Sequence, residues 1–163
     1  MQVAVISDIH DNIWKLETVL ERINDTGAET LIFCGDFCAP FTLKQIADDF
    51  SGPVHCVFGN NDGDKWLLSR VAAGADNATL HGELAELTLG GRSVAVNHYP
   101  PIAQGLAASG RYDAVFFGHS HEQCQAEVGG ALLLNPGEVM GRFGSSTYAF
   151  YDTETGRATI HEL

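Results

Sequence analysis

VAVISDIH, residues 3–10, is an apolar run that breaks into an acid and a histidine. A continuous apolar segment of this length suits a strand covered on both faces. Just downstream, Ile13, Leu16, Leu20 and Ile23 recur at spacings of three and four and Gly27 supplies a stop, so a helix follows. The alternation continues. TLIFC (30–34) reads as a second strand, and FTLKQIADDF (41–50) sets Leu43, Ile46, Ala47 and Phe50 on one helical face. Pro53 opens a third strand over 54–58, and 64–73 suits a short helix. This βαβαβ order implies parallel strands with right-handed crossovers.

Strands dominate the second half. Residues 83–98 form a hairpin turning at Gly90-Gly91, 101–109 a short helix, and AVFFG (114–118) another buried strand. Two further hairpins turn at Gly129-Gly130 and near Thr155-Gly156. With 163 residues and neither repeat nor linker, the chain is expected to form a single α/β domain over 1–163 that ends in antiparallel strands.

Composition removes several function classes. The formal charge is -12, from 21 acidic and 9 basic residues. Such a surface repels long nucleic acids, whose binding rests on Lys and Arg contacts to phosphate. No segment approaches the roughly 18 apolar residues of a membrane span, and MQVAVISD (1–8) reads as a first strand and not as a signal peptide. A cytoplasmic location is expected. Cys34, Cys38, Cys56 and Cys124 form no CxxC pair and read mainly as small apolar side chains, not as a disulfide framework.

The chemistry collects where strands end. Strand one runs into Asp8 and His10, and strand two into Gly35-Asp36. Strand three runs into Gly59-Asn60-Asn61-Asp62, residues 93–97 into His98, and 114–117 into Gly118-His119-Ser120-His121. In open α/β sheets the loops beyond the carboxyl ends gather at one edge. Asp8, His10, Asp36, Asn60, His98, His119 and His121 would then converge. Singly, each motif reads as readily as a turn or a solvated histidine. Together they form a metal-ligand inventory of hard oxygens and imidazoles, suited to Mn²⁺, Fe or Zn²⁺ better than to Ca²⁺. Seven ligands exceed one tetrahedral ion but fit two divalent ions that share a carboxylate. His55, His81 and His161 receive no role.

The set D-x-H, G-D, G-N, a later His and G-H-x-H, spread over nearly the whole chain, resembles the calcineurin-like metallophosphoesterase superfamily. The small size and LNPGE (134–138) resemble its compact prokaryotic, YfcE-like phosphodiesterase branch. That resemblance implies a four-layer α/β/β/α sandwich of two mixed sheets flanked by helices, with the metal site at strand carboxyl ends. It assigns Asp8, His10, Asp36 and His121 to a first metal, and Asp36 as bridge, Asn60, His98 and His119 to a second. Mn²⁺ is the first choice, with Ni²⁺, Fe or Zn²⁺ as alternatives. Members resembling this chain often form homo-oligomers.

Two departures matter. Asn61 stands where many members carry a histidine that protonates the leaving group, and NHYP (97–100) replaces the usual His-Gly-His, so Tyr99 and Pro100 reshape one wall. The expected reaction is hydrolysis of a small phosphoester by a hydroxide bridging ions about 3.5–4 Å apart, with Asp36, Asn60 and His98 contributing to catalysis. Lacking an acid at residue 61, the site should favour phosphodiesters of the cyclic nucleotide or aryl type. Alternatives are a phosphomonoesterase or nucleotide pyrophosphatase at the same site, or a non-catalytic scaffold like the retromer subunit. The scaffold loses ligand histidines, and all seven positions are filled here. Arg142 could touch phosphate and Asp62 could assist through water; an exposed arginine and a turn residue are the plainer readings.

Overall fold

The computed structural model describes residues 1–163. Eleven strands and four helices alternate as β1 (Gln2–Ile6), α1 (Ile13–Asp25), β2 (Thr30–Phe33), α2 (Pro40–Asp49), β3 (Val54–Cys56), α3 (Lys65–Gly74) and β4 (Ala78–Leu80). There follow β5 (Leu84–Leu89), β6 (Arg92–Asn97), α4 (Pro100–Ala108), β7 (Ala114–Phe116), β8 (Gln123–Val128), β9 (Ala131–Pro136), β10 (Thr147–Asp152) and β11 (Arg157–Glu162). Helix starts follow local chemistry. Asn12 and Asp64 cap α1 and α3 by accepting from Lys15 N and Leu67 N, and prolines open α2 and α4.

The strands form two mixed sheets. One has the order β11-β10-β1-β2-β3-β4, the other β5-β6-β7-β9-β8. In the first, β1 to β4 run parallel, and β10 pairs antiparallel with β1, so Val5 faces Ile32 on one side and Ala149 on the other. In the second, β6, β7 and β9 run parallel. The expected four layers are present. Helices α1 to α3 pack on the first sheet through Leu16, Leu20, Leu43, Ile46 and Leu68. Alternate residues of that sheet, Val3, Val5 and Ile32 among them, point the other way and meet Val94, Phe116 and Leu134 of the second sheet. Ala103 and Ala107 of α4 close its far face against Val115 and Leu133.

Phe116 and Tyr151 sit edge to face between the sheets, with ring centroids 5.3 Å apart. Phe116→Ala there should cost about 3–5 kcal/mol. Strand β4 has no counterpart in the periodicity: Ala78-Thr79-Leu80 is three residues long and none is fully buried. No helix is long and apolar enough to cross a membrane.

Candidate metal centre

All seven expected residues lie just beyond the carboxyl ends of β1, β2, β3, β6 and β7. The loops there interlock through the backbone. Asp8 N donates to Gly35 O, His10 N to Asp36 O, Gly118 N to His98 O and Met140 N to Asp8 O. The chain reaches these positions with strain. Asp8, His10, Asp11, Asp36, Cys38, His119 and His121 are the seven non-glycine residues with positive φ, between 46° and 73°. That left-handed region disfavours any residue bearing a Cβ and persists where the surroundings over-determine it.

Two glycines make the approach possible. A Cβ on Gly59 would collide with Asp36 Oδ1, and one on Gly118 with Ser7 Oγ and, at 2.6 Å, with Asp8 Oδ2. Asp62 is a clamp here. Its buried carboxylate accepts from Gly59 N at 2.6 Å, Cys38 N at 3.0 Å and Asp36 N at 3.3 Å. Burial pushes the Asp62 carboxyl up, against those amides.

The side chains converge on two foci. Asp8 Oδ1 lies 3.7 Å from His10 Nε2 and 3.5 Å from His121 Nε2. Asp36 Oδ2 lies 3.4 Å from both His10 Nε2 and His98 Nε2. Asn60 Oδ1 is 3.1 Å from His98 Nε2 and 2.7 Å from His119 Nδ1. Asp8, His10 and His121 bring ligand atoms within 4.8 Å of one another, as do Asp8, Asp36 and His98, so each trio could hold a cation.

Polar bookkeeping tests whether cations fit. His98 Nδ1 lies 2.8 Å from the carbonyl of Cys34, which can only accept, so that nitrogen carries the proton. A neutral His98 then turns the Nε2 lone pair toward two oxygens that also only accept, Asn60 Oδ1 and Asp36 Oδ2. His121 repeats the arrangement: its Nδ1 sits 2.6 Å from Glu138 Oε2, and Nε2 faces Asp8 Oδ1. Buried Asp8 Oδ1 and His10 Nε2 have no hydrogen-bond partner at all. Lone pairs aimed at lone pairs in a buried site call for a positive charge between them, and divalent ions meet that need.

Ionisation follows the same logic. Burial alone would raise the Asp36 carboxyl, yet His98 and both donors of Asn61 hold it well below the usual carboxylate range. His10 is raised chiefly by the Asp8 carboxylate 3.7 Å from its Nε2, against burial and helped by the charge of Asp36. Burial opposes protonation of His98, but Asp36 outweighs it and the value is raised.

Several contributors escaped sequence reasoning. Glu138 is fully buried and orients His121; its only sequence signal was its place at the end of LNPGE. Ser7 Oγ donates to Asp8 Oδ2 at 2.5 Å, and His119 N donates to the same oxygen at 3.0 Å. Cys38 Sγ lies 3.5 Å from His10 Nδ1, with its thiol pushed up to about 12 by burial first and surrounding aspartates second. Asn61 is no acid here. Its backbone N and Nδ2 donate to the two Asp36 oxygens at 2.7 and 2.8 Å. Away from the centre, His55 Nδ1 and His81 Nε2 form a 3.0 Å pair, and His161 stacks on Tyr148. All four cysteines are free, and Cys34 and Cys56 are core residues as expected.

Two packed mixed sheets, with carboxylates and imidazoles gathered at their carboxyl ends, define a metal-dependent phosphoesterase. The domain model of the calcineurin-like phosphoesterase superfamily matches residues 1–156, and the chain belongs to that superfamily. It is 29% identical over 157 residues to a phosphodiesterase of Methanocaldococcus jannaschii, MJ0936, covering 94% of each chain. It is 27% identical over 154 residues to the phosphodiesterase YfcE of Escherichia coli K12, covering 85% of this chain and 79% of that one. A solved archaeal phosphodiesterase superposes with a TM-score of 0.93 at 28% identity over the whole of both chains.

Proposed function

We propose that this protein hydrolyses small phosphodiesters of the aryl or cyclic nucleotide type, using two divalent ions with Mn²⁺ foremost. Asp8, His10, Asp36 and His121 hold one ion; Asp36, Asn60, His98 and His119 hold the other. One observation carries the assignment: Asp36 Oδ2 stands 3.4 Å from an imidazole nitrogen of each set, the position a bridging carboxylate takes. When bound, such a pair supplies Lewis acidity toward the phosphoryl oxygens and lowers the pKa of water that attacks in line.

The remaining work falls to this chain. Cys34 O and Glu138 fix the tautomers of His98 and His121, so each presents Nε2 with its lone pair free. Asn61 holds Asp36 in orientation and offers no proton to a departing oxygen. A leaving group that departs with little protonation therefore suits the site better than an alkoxide. The names of the relatives, both phosphodiesterases, support the diester reading. The charge of -12 favours a small substrate over a long polyanion.

The test is direct. Protein supplied with Mn²⁺ should hydrolyse bis(p-nitrophenyl) phosphate faster than p-nitrophenyl phosphate, and EDTA should abolish both activities. A faster monoester rate removes the diester reading; turnover indifferent to EDTA, or intact in Asp36→Asn, removes the metal centre.

A further inference from the structure

We infer that Phe143 is a specificity-determining residue, selecting phosphodiesters whose ester group carries an aromatic ring or planar base, with that ring stacked against it. The inference rests on the phosphodiesterase reading and adds the residue that selects its ester group. Phe143 combines two properties that seldom coincide. Its side chain is 73% exposed, yet its backbone is fixed to the centre. Glu138 Oε1 accepts from Phe143 N at 2.6 Å and Gly144 N at 2.9 Å, while Oε2 of the same carboxylate holds His121 Nδ1 at 2.6 Å. One buried group thus sets both a candidate ligand and the aromatic beside it.

The geometry leaves the ring available. Phe143 meets His121 edge to face at 5.2 Å between centroids. The Arg142 guanidinium lies 5.7 Å from the Phe143 centroid. A planar ring entering beside the phosphoryl group could stack on Phe143 and present its own edge or face to the guanidinium, which a branched alkyl group cannot do as well. At the other focus Tyr99 stands 5.2 Å from His98 and 5.5 Å from His119, so an aromatic residue flanks each half of the imidazole set.

The wider surface agrees. Trp14, Phe41, Trp66 and Ile102 are exposed, and each lies in the first turn of a helix that leaves a site loop. Exposed apolar area is therefore concentrated on the site-bearing edge, where a substrate with an apolar part would arrive.

Calorimetry of the Mn²⁺-loaded protein with three product analogues tests the inference without relying on turnover: phenyl, cyclohexyl and methyl phosphate. Stacking of one ring should make phenyl phosphate bind about five- to tenfold more tightly than methyl phosphate, with cyclohexyl phosphate between them. Phe143→Ala should bring the phenyl-to-methyl ratio near one, leave the methyl phosphate affinity and the metal content unchanged, and Phe143→Tyr should restore the ratio. A wild-type ratio near one, a ratio that survives Phe143→Ala, or cyclohexyl binding equal to phenyl overturns the role of Phe143 alone. Failure of all three analogues to bind, alongside no hydrolysis of bis(p-nitrophenyl) phosphate, overturns the underlying phosphodiesterase reading and this inference together.

Discussion

The two edges of the sheets turn the chain differently. At the amino-terminal edge, the left-handed positions are glycines: Gly27, Gly90, Gly91, Gly110, Gly129, Gly130 and Gly156. At the carboxyl edge Gly35, Gly82, Gly137 and Gly141 are joined by seven residues with side chains that accept positive φ, and five of those are candidate ligands. Holding an L-residue there costs roughly 1–2 kcal/mol. Glycine would relieve that cost, so the side chains persist where their atoms are needed. One edge is built for turning, the other for presenting groups.

Removing a group should therefore matter far more at the carboxyl edge. Asp36→Asn is expected to lower turnover of an aryl phosphodiester by roughly a thousandfold, from the several kcal/mol that metal-held charge supplies; steady-state kinetics at saturating Mn²⁺ would show it. Glu138→Gln should weaken metal binding about 10- to 100-fold, the usual cost of losing a partner that orients a ligand. Titration of the metal-free variant measures that loss.

Two glycine exchanges sharpen the contrast at lower energy. Gly130 has φ of 87° and open space where a methyl group would stand, so Gly130→Ala should destabilise by about 1 kcal/mol through backbone strain alone. His119→Gly should melt no lower than wild type when both are metal-free, while its turnover with Mn²⁺ is lost. Thermal melts of both variants decide the matter: equal destabilisation would erase the difference between the edges.

The smallest effect concerns His55 and His81. Burial lowers both, and the neighbouring His81 lowers His55 further, from an ordinary value of 6.5. A folded value below the unfolded one means that the unfolded chain binds protons first as pH falls. Their contribution to stability is thus full above about 6.5 and drains away below it until the folded values are passed. The raised His10 and His98 act in the opposite sense, so the pair is read by difference: from pH 7 to 5 the melting temperature of the wild type should fall relative to that of His55→Gln.

Much of this was legible in the residues. Apolar runs located the parallel strands other than β4, because burial on both faces leaves a continuous apolar stretch, and three-four spacing marked α1 and α2, whose burial is one-sided. The strand-end motifs pointed to the seven candidate ligands that gather at one edge, since topology alone carries them there. Strand β4 was not legible: three residues, none of them buried, are too few to show a period, and only pairing with Val54–Cys56 makes them a strand. Glu138 and Cys38 were hidden for a different reason. Their roles come from touching His121 and His10 across long sequence separations, which a linear pattern does not encode.

The place of β1 has a kinetic consequence. It sits between β2 and β10, so Val5 gains Ile32 as a neighbour early in synthesis but Ala149 only near the end. The carbonyl of Asp8 likewise waits for the amide of Met140. Contacts this distant close slowly, so nascent chains are expected to expose the loop of Asp8 and His10 long before the imidazoles of His98, His119 and His121 arrive, and selective loading with the right ion should be the last event of maturation.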